Sequence, residues 1–157
     1  MSIENVTKYL KERGAADKIR QFDVSSATVE LAAQALGCEG ARIAKTMSFL
    51  VDGHAVLIVT AGDTKVNSSK FKATFHTKAR MLTADQLEEL VGHAPGGVCP
   101  FAVNEGCETY LDESLKRFAV VYPAAGNAAS AVELTVPELE RFANSAGWVD
   151  VCSRIEG

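Results

Sequence analysis

The sequence predicts a mixed α+β domain. Helical and strand-like periodicities are interspersed along the chain, the central strands are joined by hairpin-length connections, and neither standard glycine-rich phosphate loop is present. Interspersion alone would also suit a doubly wound parallel sheet; the hairpin-length connections disfavour it. The missing phosphate loop disfavours nucleotide hydrolysis and dinucleotide binding.

Size and composition fit one unit. A chain of 157 residues is long enough to bury a core and too short for two comfortable domains, so residues 1–157 read as a single domain. Hydrophobic residues make up 47% and charged residues 23%, the profile of a globular chain and not of a disordered one. No apolar run approaches the roughly 20 residues of a membrane span. The start, MSIENVTKYLKERG, lacks the continuous apolar stretch of a secretory signal. A cytoplasmic protein is expected, with no membrane partner.

The elements follow in order. Ser2 can cap a first helix whose apolar positions Ile3, Val6, Tyr9 and Leu10 share a face packed on the outside of the domain; Gly14 suits its left-handed end. Lys18–Val24 reads as a short strand anchored by Ile19 and Phe22. Ser25-Ser26 opens a helix from Ala27 to Leu36 with a stripe of Val29, Ala32, Ala33 and Leu36, ended by Gly37. Lys45–Val51 and His54–Thr60 are β-branched and aromatic runs separated by Asp52-Gly53, the dipeptide that best fits a type I′ turn, so they form a hairpin.

Asn67-Ser68-Ser69 caps a short helix to about Phe75, and Met81-Leu82 is a brief strand. Thr83-Ala84-Asp85-Gln86 is a capping box opening a helix with Leu87, Leu90 and Val91, stopped by Gly92. Residues 92–102, GHAPGGVCPFA, hold three glycines and two prolines, which no regular element survives. Thr109–Asp112, Phe118–Pro123 and Ala131–Thr135 read as strands, with Ala125-Gly126-Asn127 turning between the last two. Thr135-Val136-Pro137-Glu138 starts a final helix that carries Leu139 and Phe142 and stops at Gly147; Trp148–Cys152 is the closing strand.

Charge and cysteine usage narrow the chemistry. A net charge of −4 gives no global field for nucleic acid, so DNA is not an expected partner and RNA must be held by a local patch or a second protein. Lys65, Lys70, Lys72, Lys78 and Arg80 form the candidate patch, and a solvated helix face explains them equally well. Cys38, Cys99, Cys107 and Cys152 contain no Cys-x-x-Cys pair, which argues against a zinc site or dithiol motif. His54, His76 and His93 are too scattered to assemble a triad or a metal set, and His93, at the loop's beginning, either contacts a ligand or, the better reading, is a solvated surface residue. No metal or cofactor is expected.

Two features remain. Lys45 leads the apolar row Met47, Phe49 and Val51: its ammonium either escapes to water at the strand's end or stands at a cavity wall facing an anionic or carbonyl ligand. The loop Gly96-Gly97-Val98-Cys99-Pro100 either only turns the chain or uses its glycines to bring backbone N–H groups against a ligand carbonyl. Asp112 either pairs with a cation or begins the turn at Glu113-Ser114. Gly126 supplies positive φ in a hairpin turn.

In combination these stretches resemble a known family. Thr28-Val29-Glu30 with the alanine-rich helix to Gly37, Ile43-Ala44-Lys45-Thr46, Gly96-x-x-x-Pro100, Tyr110-Leu111-Asp112-Glu113-Ser114-Leu115 and Ala124-Ala125-Gly126 together resemble the YbaK/prolyl-tRNA synthetase-associated domain family, over roughly Val6 to Val151. The resemblance implies a mixed, barrel-like sheet surrounded by helices. It implies an editing hydrolase that removes alanine or cysteine from tRNA for proline, with aminoacyl-tRNA as substrate and prolyl-tRNA synthetase as a further partner.

It also implies roles. Lys45 occupies the place of the family's required lysine, Gly96, Gly97, Val98, Cys99 and Pro100 that of the loop lining the aminoacyl pocket, and Asp112 and Gly126 match further pocket-side positions. Phe101-Ala102, where many relatives have glycine after the apolar residue, and Cys99 inside the loop both depart from the family. An activated ester needs placement and charge stabilisation more than a protein nucleophile, which fits the absence of a triad. Two rivals stand beside this reading: a non-catalytic module that docks tRNA ends or a synthetase, and a Schiff-base lysine enzyme.

Overall fold

The structure, a computed structural model, describes residues 2–26 and 28–155, with only the backbone of Ser2. Met1 and Ala27, and the Ser2 side chain read above as a cap, lie outside that description.

In chain order the main elements are α1 (Ser2–Glu12), β1 (Ile19–Gln21), α2 (Val29–Leu36), β2 (Ile43–Val51), β3 (His54–Ala61), β4 (Thr64–Val66) and α3 (Ser68–Phe75). Then come α4 (Ala84–Gln86), which widens into one π turn over Leu87–Val91, and β5 (Glu108–Asp112). The chain ends with β6 (Val120–Pro123), β7 (Ser130–Val132), β8 (Leu134–Thr135), α5 (Val136–Phe142), β9 (Gly147–Val149) and β10 (Cys152–Arg154).

One curled six-stranded sheet, in the order β8-β6-β2-β3-β5-β9, organises the molecule, and two ribbons, β1-β7 and β4-β10, flank it. The fold is therefore mixed α+β with a half-barrel sheet. Its nucleus is the β2–β3 hairpin, with Asp52 at φ 50° and Gly53 at φ 82° in the expected turn and pairing from Ala44↔Ala61 to Val51↔His54. Both faces of the hairpin are covered. Ala44, Val59 and Ala61 pack with Leu111, with Val6 and Leu10 of α1, and with Leu139 and Phe142 of α5. Phe49, Val51, Val56 and Ile58 face Phe71 of α3 and Val151.

Both capping boxes form, at Thr83 with Gln86 and at Thr135 with Glu138, and Asn67 caps α3. Several expectations are corrected. α2 is capped not by Ser25-Ser26 but by Thr28, whose hydroxyl accepts from the Leu31 N–H. Within the six-stranded sheet only β2 and β3 are joined by a tight turn: β3–β5, β2–β6 and β5–β9 are parallel pairs, so the sheet is mixed. Met81 makes a single bridge to Phe49.

Residues 131–135 do not form one strand, and Ala125-Gly126-Asn127 does not close a hairpin. β7 pairs with β1, the Glu133 N–H bonds to the Lys18 carbonyl, and only then does β8 pair with β6. Likewise 148–152 divides into β9, beside β5, and β10, beside β4. The last helix closes at Ala143, and Gly147 opens β9 instead.

Candidate functional site

The site lies where β2 loses its partner. β6 pairs only with Ile43 and Ala44, and further along the same edge the Ser48 carbonyl accepts from the Leu82 N–H and the Leu50 N–H donates to the Arg80 carbonyl. Backbone groups alternate sides along a strand, so those of Ala44, Thr46, Ser48 and Leu50 turn to this edge. The ladder therefore lapses at Thr46. A cavity of about 180 Å³ occupies the gap, walled by Ile43 to Thr46, by Gly96 and Val98, and by Tyr122, Ala124, Ser130 and Ala131. Ser26, Thr28, Val29 and Ala32 complete its lining, in a stretch held by bonds from the Phe22 and Ser26 N–H groups to the Ala129 and Ala128 carbonyls.

Lys45 is half-buried at the wall, and its Nζ donates to the Thr64 carbonyl. Burial pushes its pKa below the ordinary 10.5, against the opposing fields of Cys152, Asp63 and Glu30. An ammonium has three donors, so two remain beyond the Thr64 bond. Two hydroxyl oxygens of the lining, Ser26 Oγ and Thr46 Oγ1, are buried without a hydrogen-bond partner. Neither was readable as a site residue: Ser26 reads as a helix cap, and Thr46 alternates away from Lys45.

The 96–100 loop splits between several environments. Gly96, at φ 88°, and Val98 face this cavity, while Gly97 faces a second cavity of about 440 Å³ together with Gly126, at φ 105°, and Asn127. The Gly97 N–H is already bonded to the Ala94 carbonyl. Pro100 lines a third groove, beside Tyr9 and Arg13.

Cys99 is fully buried, with Sγ 3.6 Å from His93 Nε2, and burial pushes its thiol up to about 12. His93 is not a surface residue: it is 1% exposed, and Nε2 donates to the Phe101 carbonyl at 2.8 Å. Asp112, 1% exposed, begins the turn; among the described residues it forms no ion pair, though the Arg117 guanidinium feels its charge. Its Oδ2 accepts from the Ser114 N–H at 3.0 Å and its Oδ1 from the Val151 N–H at 2.9 Å, pinning the crossing between β9 and β10. Of the expected site residues the structure gathers Lys45, Gly96 and Val98 at one cavity; Gly97, Cys99, Pro100, Asp112 and Gly126 line other surfaces or the interior.

Among the described residues no group of three His, Cys, Asp or Glu side chains is placed to hold a metal ion, and no helix is long and apolar enough to cross a membrane. What the cavity offers is Lys45 in its lining, a bare stretch of strand edge and a glycine-lined wall, the equipment for holding a small carbonyl-bearing group.

Residues 23–142, which include the whole lining of this cavity, match the family of aminoacyl-tRNA editing domains, and the chain belongs to that family. The protein YwhH of Bacillus subtilis (strain 168), itself uncharacterized, is 46% identical over 153 residues, spanning 97% of this chain and 98% of its own. A proline–tRNA ligase of Bacillus licheniformis is 31% identical over 93 residues, 59% of this chain and only 16% of the ligase. A crystal structure described as a proposed trans-editing enzyme for prolyl tRNA synthetase superimposes with a TM-score of 0.87 at 29% identity, covering 99% of this chain and 98% of that one.

Proposed function

We propose that residues 1–157 act as one trans-editing hydrolase that deacylates mischarged aminoacyl-tRNA in the cytoplasm, with alanyl- or cysteinyl-tRNA for proline as substrates and prolyl-tRNA synthetase as partner. The observation that carries this reading is the cavity of about 180 Å³ at the bare edge of β2, with Lys45 on one wall and Gly96 and Val98 on another, in a chain of the editing family. Lys45 holds the substrate carbonyl or the terminal phosphate. The N–H groups of Gly96 and Val98 fix the aminoacyl moiety, since that of Gly97 is engaged by Ala94.

The reaction is water attack on an ester already activated by its ribose leaving group, helped by the neighbouring ribose hydroxyl. The buried, protonated Cys99 is unsuited to act as a nucleophile, and none is needed. Size selects the substrate. One methylene discriminates by only about 1–3 kcal/mol, so a synthetase site cannot reject small analogues by binding alone, and a second, smaller pocket supplies the rest.

The test is the deacylation of tRNA for proline charged in turn with alanine, cysteine, serine and proline. Rapid loss of alanine or cysteine with proline spared supports the reading; turnover of serine alone would replace the substrate; binding without any turnover would leave a docking module.

A further inference from the structure

A groove of about 740 Å³ shares no lining residue with the Lys45 cavity, and Tyr9, Arg13, Pro100, Asn104, Arg141 and Asn144 are among its walls. It joins the end of α1 to the end of α5, which are locked together by the Tyr9 hydroxyl donating to the Phe142 carbonyl at 2.7 Å. Its two arginines are held in place by aromatic and main-chain contacts instead of carboxylates. The Arg13 guanidinium lies 3.5 Å from the Tyr9 ring centre and donates to the Tyr9 carbonyl at 2.9 Å; that of Arg141 lies 4.7 Å from the Phe142 ring centre.

Among the described residues neither arginine has an ion-pair partner, whereas Lys18, Arg20, Lys70, Lys116, Arg117 and Arg154 all do. Glu105 is the acidic residue on the groove's lining. In a chain of net charge −4, two exposed guanidinium groups that line one groove without ion-pair partners, against the one acidic side chain of Glu105, mark a place for an external anion.

We propose, building on the editing function above, that this groove receives the sugar–phosphate backbone of the tRNA near its unpaired 3′ end. Arg13 and Arg141 each take a phosphate, and the outer face of the Arg13 guanidinium, stacked on Tyr9, accepts a base. Position fits this use. Pro100 belongs to the groove and Gly96 to the Lys45 cavity, and four residues of chain span at most about 14 Å. The lysine-rich stretch 65–80 is a weaker candidate, because Lys70 is committed to Asp150 and to the Cys152 carbonyl.

The experiment measures binding of uncharged tRNA for proline over a salt series, and deacylation of the mischarged form, for wild type, Arg13→Gln, Arg141→Gln, the double variant and a Lys72→Ala/Lys78→Ala control. Thermal melts verify that the exposed substitutions leave the fold intact. Each arginine variant should weaken binding roughly tenfold at low salt and lower the log–log salt slope by about one, raising KM with kcat unchanged. Hydrolysis of an aminoacyl-adenosine ester, which lacks the preceding phosphates, should be unaffected. A double variant with wild-type affinity, slope and KM overturns the groove while leaving the editing function standing. A wild type that hydrolyses neither substrate removes both.

Discussion

Gly97 rests directly on Asn127: a Cβ built on the glycine would stand 2.7 Å from the Asn127 Cα and equally close to the Gly126 carbonyl. Because the obstacle is backbone, it cannot swing aside, and the contact fixes where Gly96 and Val98 stand as the wall of the Lys45 cavity. Gly97→Ala should therefore push that wall out of place, costing about 1–3 kcal/mol of stability and at least tenfold in kcat/KM for the mischarged tRNA. Melting temperature and single-turnover deacylation check it; an alanine variant with full activity would show the wall to be irrelevant.

Lys45 links pH to stability. Burial lowers its pKa, so between that lowered value and the ordinary 10.5 the folded chain binds fewer protons than the unfolded one, and stability rises with pH across the window. Lys45→Met should abolish deacylation, leave the melting temperature at neutral pH equal or higher, and flatten the alkaline rise. Denaturant titrations up to pH 10.5 read the slope.

Thiol reactivity separates the cysteines. Cys99 and Cys152 are buried, with thiols pushed up to about 12 by burial, while Cys38 and Cys107 are only partly covered. A thiol reagent on the native protein should label Cys38 and Cys107 slowly and reach the other two only after unfolding. Cys99→Ala should cost about 1–2 kcal/mol and keep its kcat. A lost kcat in a variant that melts normally would return Cys99 to the chemistry.

Arg117 and Asp63 form a two-pronged pair, with Nη1 and Nη2 at 2.9 and 2.6 Å from the carboxylate, and this bond holds Asp63 below its ordinary 3.8. A depressed carboxylate pKa gives stability that is complete above 3.8 and fades as pH falls through the lowered value. Arg117→Ala should cost about 0.5–1 kcal/mol at neutral pH, modest because the pair faces solvent, and the deficit should vanish in strong acid. Melts from neutral to acid pH measure it; a deficit that persists in strong acid would assign the loss to packing.

Local signals were legible in the sequence and long-range ones were not. Asp52-Gly53, the boxes at Thr83 and Thr135, and the end signals Gly37 and Gly92 act within a few residues, and each stands where its chemistry predicts. Thr64–Val66 and Cys152–Arg154 are too short to carry a period, and each is a strand only because the other pairs with it. The break at Glu133 reflects a change of partner that no property of residues 131–135 announces. At the site, Lys45 stood out because its charge heads an apolar row, and the 96–100 glycines because they forbid regular structure. Ser26 reaches the same cavity from a distant segment, and the burial of His93 depends on a carbonyl eight residues on.

The lapse in the ladder at Thr46 has one more consequence. An unpaired stretch of strand is the feature through which sheets recruit foreign peptide, a liability in most proteins. Here the opening admits little more than a single residue. An aminoacyl ester carries an amino donor and a carbonyl acceptor one carbon apart, as a residue in a strand does, so under the proposed function the ligand would stand to β2 as a missing rung.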